Sequence, residues 1–378
     1  MASSLYLTLL IGPVMPVPAP KPVMDALVAV EVNSGDSGKN GFQLTFSQSN
    51  NSVLQTLFLL AGAAPISMMR VILMATVGAL PQVLMDGVIT HHQVSPHGMG
   101  GSSKLTITGE DITKIMDQVD MSGLPYPCMS PDLRVLAILA KYAVFGIIPE
   151  VIPVLAPDIP IPVDKIPTQK GTDLAYINDL AKECGYVFYV EPGPLPGTNH
   201  AYWGPQNKLG IPQPSLNVDM DAWTNVESLS FSFEPQTAVL PIVFLQEEMS
   251  KAVIPIPIPS VNPLNPPLGA VIPFPQTIKQ LDDTAKLSPA EALMRGMALA
   301  TETGDVVTAE GKLDVLRYGQ VLNTRQLVGV RGAGVAMDGL YYVQKATHEL
   351  KLGEYKQSFT LKRNGIISNL PIVPALPY

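Results

Sequence analysis

The sequence is poor in charged residues and in cysteine. Asp, Glu, Lys and Arg together make up 15% of its 378 residues, against about 25% in an average soluble protein. So weakly charged a surface indicates that partner subunits cover much of it. The two cysteines, Cys128 and Cys184, form no Cys-x-x-Cys pair, so a disulfide framework or a zinc site is not expected. We interpret both as reduced core residues of a chain assembled in the cytosol.

Clusters of positive charge are absent too. The chain has 24 Lys and Arg residues against 32 Asp and Glu, which gives a net charge of −8. Because nucleic-acid binding depends on clustered cations that displace counterions, we expect no specific binding of nucleic acid. The composition is compatible with an acidic wall along which nucleic acid slides without adhering.

The motifs of common enzyme families are also missing: GxSxG, HExxH, GxxxxGK[ST] and GxGxxG. Gly332 and Gly334 fall between predicted strands, so a phosphate cradle would lack its helix N-terminus, and we interpret them as turn or bulge glycines. Three acidic pairs fall in predicted loops, where solvated charge is the ordinary interpretation: Asp219/Asp221, Glu247/Glu248 and Asp282/Asp283. We predict no catalytic residue and no cofactor.

A metal site has little support. His91 and His92 could act with His97, but neighbours on a strand point to opposite faces, so at most one of the pair joins any site. No cysteine or carboxylate cluster lies beside them in the sequence, and we predict no metal ligand.

Apolar residues and proline are plentiful instead. Hydrophobic residues make up 47% of the chain and 37 residues are proline, which excludes a coiled coil. The apolar stretch 53–77 is interrupted by Gln55, Pro65 and Arg70, so we interpret it as one or two buried or interfacial segments and predict no membrane span. The N-terminus has no Lys or Arg before its apolar run, unlike a signal peptide.

Alternating hydrophobicity predicts strands in two parts of the chain. The N-terminal part includes a hairpin with strands over 25–32 and 42–47, a strand pair over 82–93 that turns at Asp86-Gly87, and a strand over 104–108. The C-terminal part has strands near 228–233, 307–317, 327–331, 339–346 and 355–363, with a tight type I′ turn at Asp338-Gly339.

Helix signals fall mainly between these two parts. A 3.6-residue pattern after 111, Pro131 after Ser130, and Thr172-Asp173 before an amphipathic run predict helices there. Ser288 with Glu291 forms a capping box. Proline density predicts extended arms over 13–23 and 253–275.

The domain organisation that we predict follows this pattern. An extended arm (1–24) precedes a β part (25–112, with an apolar insertion at 50–80). A small α/β domain (113–227) comes next. A second β part (228–378) carries a proline-rich insertion (247–287) and an extended C-terminal tail. Six insertion prolines are candidate subunit contacts: Pro255, Pro257, Pro259, Pro263, Pro266 and Pro267.

The C-terminal β part resembles phage baseplate hub proteins of the late control gene D group, which are related to VgrG spike proteins and contractile injection systems. The middle stretch AYINDLAKECGYVFYVEPG and the earlier KLTITGEDIT are similar to other segments of that family, in family order. The residues that carry the resemblance form a structural signature: Gly109, Asp111, Gly332, Gly334, Asp338, Gly339, Tyr341, Tyr342, His348, Gly353, Tyr355, Phe359, Arg363, Asn364 and Gly365.

The resemblance implies a mainly β fold with α+β insertions, in which two tail-tube-like β-barrel domains flank the small α/β domain. It implies a non-enzymatic baseplate hub of a contractile phage tail or phage-like injection particle, located in the virion and assembled in the host bacterial cytoplasm. Three copies would form a homotrimeric ring that adapts a six-fold tail tube to a three-fold spike and lines the ejection channel.

The same resemblance implies the partners: a tail tube or tube initiator above, surrounding baseplate or wedge proteins, and a tape-measure protein or DNA passing through without specific binding. Since the sequence ends at Tyr378 with no further domain after the signature, we expect the spike to be a separate chain. Three alternatives stay open at this point: a hub or distal-tail adaptor of a non-contractile tail, a hydrolase that uses the loop acids, and a membrane-associated protein.

Overall fold

The computed structural model describes residues 5–13, 15–36, 38–48, 69–78, 80–96, 103–155, 157, 159, 166–246, 253–281 and 287–370. Within these ranges the protein is mainly β, as predicted. One 13-stranded sheet is accompanied by two three-stranded sheets and one two-stranded sheet. None of the described helices has the length and apolar character needed to cross a membrane.

The N-terminal part supplies one end of the large sheet. Its elements are β1 (Leu5–Gly12), β2 (Val17–Pro18), α1 (Lys21–Ala26), β3 (Leu27–Gly35), β4 (Gly41–Gln48), β5 (Arg70–Val77), β6 (Leu80–Ser95) and β7 (Ser103–Asp111). The strand order is β3-β4-β7-β6-β5-β1-β2. The alternation read in the sequence holds, because Phe42, Leu44 and Phe46 are buried and the residues between them are not.

The middle part combines helices with a small sheet. A 3₁₀ turn (Ile112–Asp117) is followed by α2 (Pro131–Ala140), a 3₁₀ turn (Ala143–Phe145), β8 (Ile147–Val151), α3 (Asp173–Cys184), β9 (Val187–Pro192) and β10 (Asn199–Gly204). The strands form a small sheet in the order β8-β10-β9. Helix α3 begins where predicted, since Thr172 accepts a hydrogen bond from the Ala175 amide, and it ends at the left-handed Gly185.

The third part returns to β structure and carries the proline-rich insertion. It contains β11 (Gln213–Asn217), a 3₁₀ turn (Asp221–Trp223), β12 (Val226–Phe233), a 3₁₀ turn (Pro235–Thr237), β13 (Val239–Gln246), β14 (Val253–Pro257), β15 (Gly269–Val271), β16 (Thr277–Gln280) and α4 (Pro289–Glu302). Helix α4 starts with the predicted capping box of Ser288 and Glu291. It packs on the small sheet β14-β13-β16.

The C-terminal elements complete the large sheet: β17 (Val307–Asp314), α5 (Val315–Tyr318), β18 (Leu327–Arg331), β19 (Gly339–Lys351), β20 (Glu354–Arg363) and β21 (Ile366–Ser368). Strand β21 pairs with β15 in the two-stranded sheet. Strand β11 lies within the predicted α/β domain, yet it pairs with β18 and so belongs to the large sheet.

Strand β19 joins the two β parts into one sheet. Residues 339–342 of β19 pair with β18, and residues 345–351 pair with β3. Since β3 then has β4 on one edge and β19 on the other, it cannot also pair with β1. Among the described residues the strand order therefore stays open, and a single hydrophobic core lies under both β parts.

The N-terminal arm prediction is wrong for the described residues. Strand β1 pairs with β5 along its whole length, from Leu5 opposite Val77 to Gly12 opposite Arg70. Helix α1 forms despite the proline density, with Pro20 as its N-cap and Pro22 in its first turn, because a proline in the first turn of a helix loses no hydrogen bond.

The predicted turn at Asp86-Gly87 is also wrong. Both residues lie inside β6, an uninterrupted 16-residue strand. Glycine is needed there for close packing, because a Cβ at Gly87 would lie 2.3 Å from the Glu110 carbonyl oxygen. Of the predicted apolar insertion at 50–80, Arg70–Val77 is the sheet strand β5, while residues 49–68 lie outside the described residues.

The proline-rich stretch 253–275 is more ordered than the extended arm that we predict. It contains β14 and β15, and β14 pairs with β13 although it includes Pro255 and Pro257. The Ile258 amide donates to the Pro241 carbonyl on β13. By alternation, the N–H positions of the two prolines face the outer edge, where no ladder partner is needed.

The cysteine prediction is half right. Cys184 is buried in the middle module, whereas Cys128 is exposed.

Candidate functional surfaces

One polar face extends across eight neighbouring strands of the large sheet, in the order β12-β17-β20-β19-β3-β4-β7-β6. Register and alternation place these side chains on it: Ser228, Ser230, Ser232, Thr308, Glu310, Lys312, Lys356, Ser358, Thr360, Lys362, Lys345, Thr347, Glu349, Lys351, Glu31, Asn33, Gln43, Thr45, Ser47, Lys104, Thr106, Thr108, His91, Gln93 and Ser95. The opposite face is the apolar core.

Opposite charges are interspersed on this polar face. Lys356 Nζ lies 2.9 Å from Glu227 and 3.2 Å from Glu354, and Lys312 Nζ lies 3.3 Å from Glu349. Such exposed pairs add little stability. They do pair two of the lysines of this face, Lys312 and Lys356, with carboxylates.

The polar face ends in two strand edges that have no partner among the described residues. Among the described strands, β12 pairs with β17 only. On β6, residues 80–88 pair with β5, but residues 90–95 have β7 on one side and no strand on the other. Both edges lack proline and lysine, the residues that commonly protect an exposed edge from strand addition. They contrast with edge strand β14, whose two prolines block it.

A buried ion pair fixes the first β part to the middle module. Arg70 Nε and Nη2 donate to the two Asp86 carboxylate oxygens at 2.7 and 2.6 Å. The same Nη2 donates to the carbonyls of Phe145 at 3.1 Å and Gly197 at 3.2 Å, and Asn199 Nδ2 donates to Asp86 at 2.9 Å. Both charges are thus paired and hydrogen-bonded, as burial requires.

Two more buried cations join other parts of the chain. Lys208 Nζ donates to Asp305 at 2.8 Å and to Asn265 Oδ1 at 2.8 Å, which links the residues after β10 to the insertion and to the start of β17. Arg325 stacks 4.0 Å above the Tyr189 ring and donates to the Gly35 carbonyl at 2.7 Å. These contacts hold the β parts and the module in fixed relation.

The signature residue Arg363 connects the end of β20 to the loop before β19. The buried Arg363 donates to the carbonyls of Gly365 at 2.6 Å, Asp338 at 3.0 Å and Ala336 at 3.3 Å. Its guanidinium also lies 5.0 Å from the Tyr341 ring centroid. Arg363 therefore holds the loop before β19 in place.

The next two signature residues anchor the proline-rich insertion. Asn364 Nδ2 donates to the Pro266 carbonyl at 2.8 Å, and its Oδ1 accepts from the Leu268 amide at 2.9 Å. A Cβ at Gly365 would lie 2.7 Å from the Val271 carbonyl oxygen. The structure thus gives each residue of the Arg-Asn-Gly run a separate contact.

The prediction of a tight type I′ turn at Asp338-Gly339 is wrong. Residues 332–338 form a seven-residue connection between β18 and β19, closed by the Asp338 carboxylate, which accepts from the Ala333 amide at 2.8 Å. The predicted positive φ at Gly339 is confirmed at +140°. Gly332 and Gly334 also have positive φ and lie in this loop, as the turn interpretation predicted.

A buried histidine–tyrosine pair lies where β19 and β20 meet. His348 Nδ1 and the Tyr355 hydroxyl are 2.8 Å apart, and both side chains are buried. Burial lowers the pKa of His348 to about 4 and raises the pKa of Tyr355 well above its usual range. Both groups are therefore neutral at pH 7, as a hydrogen bond in the core requires.

The remaining signature residues support strand packing. Tyr342 and Phe359 are buried, and Gly353 has positive φ in the hairpin turn between β19 and β20. A Cβ at Gly109 would lie 2.3 Å from the Phe42 ring. Asp111 accepts from the Thr113 amide at 3.1 Å and so caps the 3₁₀ turn after β7. The role of the whole set as a family signature stays a prediction.

Of the six insertion prolines, Pro255, Pro257, Pro259, Pro263 and Pro267 are exposed and Pro266 is half-buried. Their role in subunit contacts stays a prediction.

The candidates for chemistry do not come together. The described residues contain no group of three or more His, Cys, Asp or Glu side chains that could hold a metal ion. His91 and His92 lie on opposite faces of β6, and His97 lies outside the described residues. Asp219 and Asp221 are exposed loop residues; the other two acidic pairs are not described.

Several residues that organise these surfaces carry weak sequence signals. Arg70 stands out in the sequence only as an interruption of an apolar run, although a lone cation there is itself a sign of a buried ion pair. Lys208 and Arg325 carry no such sign. The exposure of Trp223 depends on tertiary packing, which the local sequence does not encode.

No protein-family model matches the sequence, and no curated protein matches it. Solved structures do share its fold. A tail protein from Neisseria meningitidis MC58 matches 96% of this chain and 98% of its own, with 12% identity and a TM-score of 0.62. The 43 kDa tail protein of prophage MuSo2 from Shewanella oneidensis matches 96% and 99%, with 12% identity and a TM-score of 0.61.

A chain of the lidded Francisella PdpA–VgrG complex also matches, over 98% of this chain and 54% of its own, with 10% identity and a TM-score of 0.60. The chain therefore has the fold of phage tail proteins and of a chain in a VgrG complex. This confirms, at the level of the fold, the resemblance read from the sequence.

Proposed function

We propose that this chain is the structural hub of a contractile tail baseplate, in a phage or a phage-like injection particle. Three copies form a ring that adapts a six-fold tail tube to a three-fold spike. The observation that carries the proposal is the eight-strand polar face, whose edge at each end has no partner among the described residues. A sheet with two open, unprotected edges continues into another chain unless something covers them.

Strand direction supports closure of the ring through these edges. All seven steps from β12 to β6 are antiparallel. Strand β6 therefore runs opposite to β12, and β12 of the next copy meets β6 as one more antiparallel step. Three copies of eight strands close a ring of 24.

The stagger between the two edges also supports closure. Following the register across the sheet, Val226 on β12 is level with Ile89 on β6. Strand β12 extends from this level toward the β5-paired half of β6, whereas the free residues 90–95 extend the other way. The next copy must therefore shift along the strands by about one residue per strand. At about 3.3 Å per residue and 4.8 Å between strands, this tilts the strands by about 35°, as in closed barrels.

The side chains at the two edges match under this closure. On β12 the serines lie on the polar face and Leu229, Phe231 and Phe233 on the other. On β6, Gln93 lies on the polar face and Val94 on the other. Phe233 is 40% exposed and Val94 37% exposed in the single chain. Pairing would bury both.

The polar face would then line the channel. A ring of 24 strands tilted by about 35° has a backbone diameter of about 45 Å. This is wide enough to pass α-helices, each about 10–12 Å across, or a nucleic-acid duplex. A face rich in Ser, Thr and Gln, on a chain with a net charge of −8, lets a cargo pass without adhering.

Two tube-like units per chain fit the six-fold neighbour. The polar face divides into β12-β17-β20-β19 and β3-β4-β7-β6, four antiparallel strands each, which β19 and β3 join. Three chains then offer six positions to the tail tube above. The spike, the surrounding baseplate proteins, a non-enzymatic role and a location in the virion belong to this proposal. In this proposal each four-stranded unit takes the place of one of the two tail-tube-like barrels that the sequence resemblance implies, and the units close only together, as parts of the ring.

Negative-stain imaging of the purified protein tests the proposal. We expect three-fold rings with a central hole. Val94→Asp places a charge on the β6 edge and should give folded single chains instead of rings. Leu195→Asp, at a 67% exposed position in the middle module, should leave the rings intact. Rings that survive Val94→Asp unchanged would contradict closure through this edge.

A further inference from the structure

An exposed tryptophan marks a second contact surface. Trp223 is 77% exposed, whereas the other tryptophan of the chain, Trp203, is fully buried. It lies in the loop 218–224, which connects β11 to the edge strand β12. Tryptophan is enriched at the energetic centres of protein interfaces.

The loop holds this side chain in a fixed place. Asp219 and Asp221 adopt left-handed φ values of +47° and +49°, which persist only where the surroundings over-determine them. The Met220 amide donates to Thr224 Oγ1 at 2.9 Å, and Asn217 Nδ2 donates to the Trp223 carbonyl at 3.1 Å. A fixed loop loses little conformational entropy on binding.

The position of Trp223 identifies what it meets. It precedes Val226, the first residue of β12, by three residues, which is at most about 10 Å of chain. In the proposed ring the stagger brings the start of β12 level with Ser95 and Pro96 of the next copy. Pro96 is exposed directly after β6, so it comes within reach of the indole.

The charges around the two sites are complementary. The loop 218–224 contains two carboxylates, Asp219 and Asp221, and no cation. Lys104 is exposed and lies opposite Ser95 on β7. Within the described part of one chain, none of these three charges has an ion-pair partner within 4.0 Å.

We propose that Trp223 of one copy packs on Pro96 of the next, while Asp219 and Asp221 pair with Lys104 of that copy. This inference rests on the proposed ring and specifies its contact between copies. The contact would act in every copy, because a head-to-tail ring gives each loop one neighbour. An apolar anchor with charges at its rim is the usual anatomy of an interface.

Photo-crosslinking of the purified ring tests the contact. Benzoylphenylalanine replaces Trp223, and the rings are assembled from a mixture of isotopically light and heavy chains. We expect irradiation to give a dimer adduct whose cross-linked peptides combine both isotopes and map to Val94–Pro96 or to Lys104. The same probe at Leu195, 67% exposed in the middle module, should give no such adduct.

A charge exchange provides a second measurement. Lys104→Glu should raise the dissociation constant of the ring by about tenfold, and adding Asp219→Lys with Asp221→Lys should restore it. Rings that form normally but give no adduct at Val94–Pro96 or Lys104 would overturn this contact and leave the hub proposal standing. A dissociation constant that Lys104→Glu leaves unchanged would do the same. If no ring forms at all, the hub proposal fails as well.

Discussion

At the scale of single residues, buried cations connect distant segments of this chain. Arg70, Lys208, Arg325 and Arg363 each contact segments that are distant in sequence. Removing one partner of a buried pair costs far more than the pair contributes, because the other charge is left without compensation. These residues therefore fix the relative placement of the β parts, the middle module and the insertion.

Arg70→Met should destabilise the fold by about 3–5 kcal/mol, because Asp86 would remain buried without its cation. Glu349→Gln removes an exposed pair with Lys312 and should cost less than about 1 kcal/mol. Urea titration of both variants measures the difference. Equal effects would show that the Arg70 pair does not hold the module.

His348 should make stability depend on pH. Its pKa is about 4 in the folded chain, below the value of about 6.5 in an unfolded one. Unfolding therefore takes up a proton, so the stability from neutral His348 is present above pH 6.5 and is lost as pH falls toward 4. The loss is on the order of 3 kcal/mol. Urea titrations at pH 7 and 4.5 should show a smaller loss for His348→Gln, and identical losses would refute the assignment.

At the scale of elements, local pattern predicted some segments well and others poorly. The alternation in β20 and the capping box of α4 are decided by neighbouring residues, and both are confirmed. The turn predicted at Asp86-Gly87 is wrong, and the extended arm predicted over 253–275 contains the strands β14 and β15. In those cases a distant partner determines the local structure. For β6 the partners are Arg70 and Glu110. For the proline-rich strand β14 the partner is β13.

The candidate surfaces also combine features that neighbouring residues determine with features that distant partners determine. A polar face on the last strand is readable from its sequence, because Lys356, Ser358, Thr360 and Lys362 alternate with buried residues. Its continuation across β19 into β3 is not readable, because it depends on pairing between residues about 300 positions apart. The free edges and the exposure of Trp223 depend on that pairing too.

Strand β20 offers a test of alternation with a control on the same strand. Phe359 is 3% exposed, so Phe359→Ala should cost about 3–5 kcal/mol. Thr360→Ala, on the polar face, should change stability by less than about 0.5 kcal/mol. Urea titration measures the change in the free energy of unfolding for both variants. A small change for Phe359→Ala would argue against the core assignment.

At the scale of the whole molecule, a net charge of −8 predicts a channel wall that does not bind nucleic acid. Filter binding of duplex DNA at about 150 mM salt should give a dissociation constant weaker than about 10 μM. A variant in which lysine replaces Glu31, Glu310 and Glu349 together should bind DNA more strongly, and it serves as the positive control. Submicromolar affinity of the unaltered protein would contradict a passive channel.

The central claim is that three copies close one ring, and light scattering on the purified protein tests it most directly, with its spike partner co-expressed if needed. With chains of 40.5 kDa, the hub component should have a mass of about 121 kDa, because one β12 edge meets one β6 edge at each of three junctions. Val94→Asp should reduce it to the mass of a single chain. A count of one, two or six hub chains for the unaltered protein would contradict the account.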